Sequence, residues 1–386
     1  MADERSEVVI IGAGIVGASI AYHLAERGCR DVLVLERADR AVTGSSARSV
    51  AGVRHQFANE VNIRLSQYSI ERLARFTEEI GGHAELKQVG YLLLVSDSET
   101  WADYQRNVAL QNTLGVRSRL ISPDDVAGLV PGARIDDLLG AAYCPDDGYC
   151  DPNGVAAGYL SRARELGVRL RCESEVLGIR VAAGRVVGVD TPAGPVDCDT
   201  IVNAAGPWAG RVGALAGIAN PVLPYRRCVY MTERFDPIPR DIPLTIDTAA
   251  GFYLRKELDS VLFGVSNPDE PPGESLLVDW DWLEHVLEVG VARFPVLGDA
   301  SLAIKNCWAG LYEITPDHLP VLGRHPDLPS YVDASGFSGH GVMHAPATGA
   351  LIAEEILDGR AHSIDIDELR VTRFQGGGLV PEANVF

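Results

Sequence analysis

The sequence predicts a chain of mixed α/β class with more than one domain, and three observations carry this prediction. The chain has 386 residues, which is long for a single hydrophobic core. Near its start, a β-branched run at residues 8–11 precedes glycines and then apolar residues at helical spacing. Further along, residues 90–95 and 260–265 show the alternation that the strands of an antiparallel sheet have.

Composition excludes several classes of partner. Lys plus Arg is 34 against 53 Asp plus Glu, a formal charge of −19, and a field of that sign repels nucleic acid and anionic lipid. The seven cysteines are odd in number and form no C-x-x-C pair, which argues against a disulfide framework or a zinc ribbon. The start of the chain lacks a signal-peptide pattern, and no apolar run reaches the length of a membrane span. We expect a soluble cytoplasmic protein without a bound metal.

The glycines at the start of the chain have the spacing of a dinucleotide site. Gly12 would make a tight turn, Gly14 would let the backbone approach a pyrophosphate, and Gly17 would let the helix pack on the strand. A second strand at residues 31–35 ends in Glu36, 19 residues past Gly17. A carboxylate there accepts hydrogen bonds from an unphosphorylated ribose, so the pattern favours NAD or FAD over NADP.

The later sequence decides between NAD and FAD. A small-residue loop at residues 43–57, which carries Arg48 and Arg54, interrupts the run of strands and helices. A second nucleotide-binding pattern returns only at residues 200–208. Such a discontinuity is typical of flavin enzymes, so FAD is the predicted cofactor.

With these residues in view, the chain resembles the D-amino acid oxidase superfamily of FAD-dependent oxidoreductases. The branch is that of sarcosine oxidase, dimethylglycine dehydrogenase and the β-type chains of dye-linked proline dehydrogenase. The pattern is also close to FAD-dependent oxidoreductase domain proteins linked to the assembly of respiratory complex I. The resemblance covers nearly the whole chain and rests on residues 12–17 with Glu36, 44–57, 203–208, 308–312, 336–341, and the segments 146–152 and 340–346.

The resemblance implies a Rossmann-type FAD-binding domain assembled from separated stretches, with a substrate domain built on a mixed or antiparallel sheet. The FAD-binding domain would comprise residues 1–85, 148–216 and 314–386. The substrate domain would comprise residues 86–147 and 217–313.

The predicted cofactor contacts come from the glycine motif, the following loop and the later family motifs. Residues 345–357, which follow the motif at residues 336–341, are predicted to form a helix. By the resemblance, backbone N–H groups at its start would lie against the flavin and stabilise its reduced form. The predicted cofactor-binding residues are Gly12, Gly14, Ile15, Val16, Gly17, Glu36, Arg37, Ser45, Ser46, Arg48, Val176, Ala205, Gly206, Trp208, Gly310, Gly339, His340, Gly341, Val342 and Met343.

The predicted substrate contacts centre on Arg54, whose guanidinium would hold a substrate carboxylate in a bidentate grip. An arginine paired with a structural acid is the alternative. Arg227 is a secondary anchor, with Arg226 and Arg255 as further candidates that are equally explained as surface or interface charge. The remaining predicted pocket residues are Tyr253, Tyr312 and His340, with core packing as the alternative for the tyrosines.

His340 and His344 are four residues apart, which is also a metal-ligand spacing on a helix. No third ligand is evident in the sequence, and the neighbouring glycines fit a flavin turn better. We therefore predict no metal.

Three positions depart from the sarcosine oxidase pattern. Gly310 stands where those enzymes have the cysteine that bonds the flavin, so we expect FAD without a covalent link. Leu262 stands, on alignment by eye, where they have a lysine that promotes reaction with oxygen, which favours a dehydrogenase. Met343 replaces a lysine that helps to bind sarcosine, so a larger or less polar amine is expected.

The resulting prediction is FAD-dependent oxidation of a secondary amine or amino acid, either an N-methyl amino acid or a proline-like one, to an imine. Hydride transfer to flavin N5 requires no general base, since the cofactor carries the chemistry. Oxidation of a D-amino acid or 2-hydroxy acid stays open, as does a flavin-binding assembly protein with little turnover. The expected partners are the substrate, an electron acceptor (quinone, electron-transfer protein or oxygen), and other subunits in a homo- or hetero-oligomer.

Overall fold

The computed structural model describes residues 4–376, 379 and 381–385. Within them, the strands form two eight-stranded sheets and one two-stranded ribbon. The strands are β1 (Glu4–Ile11), β2 (Val32–Leu35), β3 (Gly52–Val53), β4 (Tyr91–Val95), β5 (Arg119–Ile121), β6 (Gly140–Cys144), β7 (Gly148–Tyr149), β8 (Arg169–Arg171), β9 (Gly178–Ala182), β10 (Arg185–Thr191), β11 (Gly194–Asn203), β12 (Leu223–Met231), β13 (Leu244–Asp247), β14 (Phe252–Glu257), β15 (Ser260–Gly264), β16 (Trp308–Ile314), β17 (Val321–His325) and β18 (Leu328–Ser335). The helices are α1 (Ile15–Glu26), α2 (Glu60–Ala74), α3 (Phe76–Ile80), α4 (Ser98–Thr113), α5 (Pro123–Leu129), α6 (Pro152–Glu165), α7 (Ala209–Leu215), α8 (Leu283–Arg293) and α9 (Gly341–Leu357).

The first sheet has the order β17-β18-β11-β1-β2-β8, with the β9–β10 hairpin attached to β11. The pairs of β1 with β2 and β11, of β2 with β8 and of β11 with β18 are parallel. Both faces are buried, as is usual for a parallel sheet. Val8 and Ile10 pack into the core under α1, α6 and α9, whereas Val9 and Ile11 pack on the opposite face with Val212 of α7.

The second sheet has the order β16-β12-β15-β14-β13-β4-β6-β5 and is antiparallel except for the parallel pair of β13 with β4. Alternation along β4 divides its side chains between two cores. Leu92 and Leu94 face the core that contains residues of α5 and α8, while Tyr91 and Leu93 face the core that contains residues of α4. The mixed α/β class and the mixed sheet are therefore confirmed.

The strands of the second sheet fall within residues 91–144 and 223–314, and those of the first within 4–35, 169–203 and 321–335. The exact division into two domains stays a prediction. Among the described residues, no helix combines the length and apolarity required to span a bilayer.

One local difference from the sequence prediction bears on the site. The last long helix was expected to cover residues 345–357 and instead begins at Gly341. Gly339 adopts a φ of +95°, which only glycine adopts freely, and turns the chain from β18 straight into the helix. Pro346 is accommodated inside the first turns of α9. The helix start consequently lies closer to the glycine motif than the sequence suggested.

Candidate active site

A cavity of about 670 Å³ lies between the carboxyl edge of the first sheet and one face of the second. The first sheet and its loops contribute Gly12, Glu36 and Ala204, and the second sheet contributes Val229 and Tyr253. The predicted cofactor-binding residues that line it are Gly12, Gly14, Ile15, Val16, Glu36, Arg37, Ser45, Ser46, Arg48, Val176, Ala205, Gly206, Trp208, Gly310, Gly339, Gly341 and Val342.

The three glycines of the first motif do different work. Gly12 has a φ of +109°, and a Cβ there would lie 2.4 Å from the Ala204 carbonyl oxygen. A Cβ on Gly17 would lie 2.0 Å from the Gly12 carbonyl oxygen, so Gly17 serves the contact of helix with strand and does not line the cavity. A Cβ on Gly14 would lie 3.3 Å from its nearest neighbour, Ser46 Oγ. Gly14 therefore keeps space free in the cavity itself.

Glu36 is held in place by backbone donors at the end of β2. Its two carboxylate oxygens accept from the N–H groups of Ala13, at 3.0 Å, and Ala38, at 2.9 Å. The neighbouring Arg37 lies over the Trp208 ring, 3.5 Å from its centroid. Together with the glycine turn at the start of α1, this fixed carboxylate fits the ribose and pyrophosphate of FAD.

Glu313 was missed by the sequence prediction, although it directly follows the predicted Tyr312. Its carboxylate accepts from the Gly336 N–H at 3.0 Å and faces the larger cavity near the start of α9, 3.7 Å from where a Gly341 Cβ would be. The side chain keeps some accessible surface through the cavity although protein surrounds it. This burial raises the pKa of Glu313 to about 7, and the backbone N–H groups of Gly336 and Phe337 oppose the rise only in part.

A second cavity of about 70 Å³ adjoins the first and shares five lining residues with it: Ser49, Val50, Tyr253, Tyr312 and Gly339. Its described lining contains one charged side chain, Arg54. His340 and Met343 line this smaller cavity and not the larger one, although the sequence placed both at the cofactor. The full lining is Ser49, Val50, Ala51, Gly52, Arg54, Tyr91, Leu244, Ile246, Tyr253, Tyr312, Ser338, Gly339, His340, Met343 and Val385.

Arg54 is almost completely buried, with 2% of its surface exposed. Its guanidinium donates to the carbonyl oxygens of Gln56 and Asn384, lies 3.3 Å from His340 Nε2, and sits 4.0 Å above the Phe57 ring centroid. A buried guanidinium in a defined orientation is the group that a carboxylate recognises best.

His340 and His344 are neutral in this setting. Burial, followed by the positive charge of Arg54, holds the pKa of His340 well below its usual range and lowers the pKa of His344 to about 3. Since Arg54 donates toward His340 Nε2, the imidazole proton of His340 belongs on Nδ1. That Nδ1 atom has no hydrogen-bond partner among the described residues.

The other three candidate arginines differ in their partners and in whether they line a cavity. Arg226 forms ion pairs with Glu270 and Asp279, both at 2.9 Å. Arg255 is paired with Glu257 at 2.5 Å. Arg227 lines the larger cavity, donates to the Arg226 carbonyl at 2.9 Å, and has an Nε without a partner among the described residues. Burial lowers the pKa of Arg227. Its place in the cavity lining and its Nε without a described partner make Arg227 the second candidate for holding a substrate anion.

Two glycines make room for the two shared tyrosines. A Cβ on Gly264 would lie 2.6 Å from the Tyr253 hydroxyl, and a Cβ on Gly339 would lie 2.5 Å from the Tyr312 ring. Burial raises the pKa of both tyrosines, so their hydroxyls stay protonated at neutral pH. Each can therefore donate a hydrogen bond at the junction of the two cavities.

A third cluster, His55, Cys144 and Asp147, brings potential metal-ligating atoms within 4.8 Å of one another. Their arrangement is a hydrogen-bonded one, because Asp147 Oδ1 lies 2.6 Å from His55 Nδ1 and accepts from the His55 backbone N–H at 2.9 Å. Gln56 Nε2 donates to the other oxygen at 3.2 Å. The cluster thus fixes the two residues that follow Arg54.

Leu262 and Cys307 line neither of the two cavities. Leu262 is 1% exposed, pairs across the sheet with Arg255 and Met231, and lines neither cavity. Through its pairing with Arg255, Leu262 lies on the same face of the sheet as Tyr253, and the preference for a dehydrogenase drawn from this position stays a prediction. Cys307 lies outside both linings, with its Sγ 3.5 Å from the Ala303 carbonyl oxygen.

Comparison with known proteins bears on the identity of this site. The family model described as FAD dependent oxidoreductase matches residues 7–355. The chain is 32% identical to mitochondrial dimethylglycine dehydrogenase of Rattus norvegicus over 96% of its own length, but spans only 45% of that protein. It is 31% identical to FAD-dependent oxidoreductase domain-containing protein 1 of Bos taurus, over 98% of this chain and 87% of that one.

A solved structure gives a further match. L-proline dehydrogenase from P. horikoshii superposes with a TM-score of 0.90 at 34% identity, over 98% of this chain and all of that one. These findings confirm the resemblance stated from the sequence and FAD as the predicted cofactor. The chain belongs to the family of FAD-dependent oxidoreductases.

Proposed function

We propose that the protein oxidises a small amino acid with a secondary amine, such as an N-methyl amino acid or proline, to the corresponding imine. One observation carries the proposal: a cavity of about 70 Å³, whose described lining has Arg54 as its charged side chain, adjoins the cavity that fits FAD. Bound FAD supplies the hydride acceptor. The names of the dimethylglycine dehydrogenase and L-proline dehydrogenase relatives support an N-alkylated amino acid as the substrate.

In this proposal, the amine binds in its neutral form and loses a hydride to give a protonated imine, which passes its proton to water on release. The chain positions the substrate and supplies no general base. Arg54 holds the carboxylate, and the hydroxyls of Tyr253 and Tyr312 border the passage to the cofactor cavity. Because His340 is neutral, it adds no positive charge that would oppose loss of a hydride from the carbon next to nitrogen. Apolar Leu244 and Ile246 exclude water from the reacting carbon.

The proposal also covers how FAD is held and where its electrons go. Gly310 and Cys307 support non-covalent FAD, since in the described residues no cysteine lines either cavity. The dimethylglycine and L-proline relatives are both named dehydrogenases, which supports an acceptor other than oxygen.

The test is the visible absorbance of the holoprotein, recorded without oxygen while candidate substrates are added. The panel holds proline, sarcosine, dimethylglycine, D-alanine and lactate, followed by admission of air. We expect proline or sarcosine, the two secondary amines of the panel, to bleach the flavin, with slow recolouring in air. Arg54→Met should abolish the bleaching at the same concentration, and Arg226→Met, which removes an ion-paired arginine outside both cavities, should not. Bleaching only by dimethylglycine, lactate or D-alanine, or by nothing, would refute the proposal.

A further inference from the structure

The segment 381–385 reaches back across the molecule to the smaller cavity. Val385 forms part of the cavity lining, while Glu382 and Asn384 are 2% and 3% exposed. Nothing in the sequence singles out these residues, since they belong to no recognisable motif. Their burial shows that the segment is packed into the molecule.

Glu382 holds the segment in place. Its carboxylate accepts from the backbone N–H of Ala58 at 3.0 Å, from the Asn62 amide at 3.2 Å, and from the Asn59 amide. A further bond comes from the backbone N–H of Asn384 at 3.0 Å. These donors surround the start of α2, where the helix dipole also favours a negative charge. A carboxylate this deeply buried is stable only because its acceptor sites are filled.

The same segment contacts the loop that carries the proposed substrate anchor. The Asn384 carbonyl accepts from Arg54, and the Asn384 side-chain amide donates to the Gln56 carbonyl at 3.4 Å. On its other side, the Glu382 N–H donates to the Asp317 carbonyl at 3.0 Å. The orientation of Arg54 and the position of Val385 are therefore set by one continuous piece of chain.

We propose that segment 381–385 is a specificity-determining wall of the substrate pocket. Val385 limits the bulk that the pocket accepts close to Arg54, and Glu382 is the positioning residue that keeps Val385 and the Asn384 carbonyl in place. The substrate class selected is small amino acids with little substitution near the carboxylate. The inference rests on the proposed function, because it states which substrates the proposed substrate pocket excludes.

The test measures the binding of simple carboxylates, so it does not depend on turnover. The oxidised holoprotein is titrated with acetate, propionate and pivalate, and the shift of the flavin absorbance gives a Kd for each. We expect wild type to bind pivalate much more weakly than acetate. Val385→Ala should lower the ratio of the pivalate Kd to the acetate Kd at least tenfold. Leu379→Ala, a truncation of an exposed neighbour (38% exposed) outside both linings, should leave the ratio within twofold.

A second pair of variants tests the role of Glu382 and does not depend on the size of residue 385. Glu382→Ala should speed amide hydrogen exchange at least tenfold in residues 381–385 and 54–58, and should lower the same Kd ratio. Glu382→Gln keeps two acceptor lone pairs and the shape, so its effect should be smaller. If α2 unfolded as a whole in Glu382→Ala, Val385→Ala would still decide the question.

The outcomes separate this inference from the proposed function. Three results would overturn the inference that segment 381–385 is a specificity-determining wall. They are a wild-type Kd ratio near one, an unchanged ratio in both Val385→Ala and Glu382→Ala, and no flavin response to any carboxylate. A lowered ratio in a protein that no amine bleaches would support the wall and refute the proposed oxidation. Amine bleaching with an unchanged ratio would do the reverse.

Discussion

The two adjoining cavities are built in different ways. The larger one depends on backbone turns close to sequence motifs: the turn at Gly12, the start of α1 at Ile15 and the turn at Gly339 leave the space into which a cofactor fits. The smaller one is shaped by side chains that come from distant parts of the chain, from Arg54 to Val385.

This difference explains which residues can change. At Gly12 the larger cavity tolerates no added Cβ, whatever the ligand, because the Cβ would collide with the Ala204 carbonyl group. A cavity lined by side chains can change its ligand by single substitutions while the fold stays intact. We therefore expect substitutions in the first region to act on folding and FAD retention, and those in the second to act on substrate choice.

The largest effect is expected for Gly17→Ala, compared with Gly14→Ala. The new Cβ at 17 would lie 2.0 Å from the Gly12 carbonyl oxygen, whereas the one at 14 meets nothing nearer than 3.3 Å. Gly17→Ala should lower the free energy of unfolding by more than about 3 kcal/mol. Gly14→Ala should leave it nearly unchanged and weaken FAD binding. Urea unfolding and flavin content measure the two effects, and equal stability of both variants would contradict the assignment of roles.

A smaller effect, confined to the substrate, is expected for Arg54→Met. Loss of the charge-assisted hydrogen bonds to the substrate carboxylate should raise KM for that substrate about 100-fold, equivalent to about 2.7 kcal/mol. FAD content should stay near the wild-type value, because Arg54 lines only the smaller cavity. Arg227→Met is the matched comparison, since that guanidinium lines the larger cavity. A larger effect at Arg227 would move the carboxylate anchor there.

The smallest of these effects concerns the pH dependence of stability. The pKa of Glu313 rises from its usual 4.5 to about 7 in the folded protein, so between these values the folded state binds more protons than the unfolded state. The contribution of Glu313 to the free energy of unfolding is therefore fully present below pH 4.5, and it is lost as the pH rises to 7. Glu313→Gln should reduce that loss by about 2 kcal/mol, a figure discounted for solvent in the cavity.

Asp333 supplies the control for this measurement. Burial raises its pKa to about 7 as well, but it lies inside the first sheet and lines neither cavity. Asp333→Asn should flatten the stability curve over the same pH range while leaving the pH dependence of FAD affinity unchanged. Glu313→Gln should alter both. An FAD affinity with the same pH dependence in both variants would remove Glu313 from the cofactor site.

The sequence by itself determined the cofactor region. Strand, glycine turn, helix and Glu36 are close in the chain, and their spacing follows from local geometry that any such site requires. The mixed class, the strands near residues 91 and 260 and the FAD assignment followed from the same kind of local pattern. Even so, the predicted start of α9 lay four residues too late. The positive φ of Gly339 is set by the tertiary structure and was not evident from the neighbouring residues.

Only the tertiary structure decided how the smaller cavity is formed. Arg54 was identified as a candidate anchor from its family motif. Its contacts with His340 and Asn384, however, join residues that are 286 and 330 positions apart in the sequence. Glu313 and Val385 belong to the site through packing and leave no periodic or spacing signal. The physical reason is that backbone conformation is set largely by neighbouring residues, whereas a pocket lined by side chains exists only after distant segments have packed together.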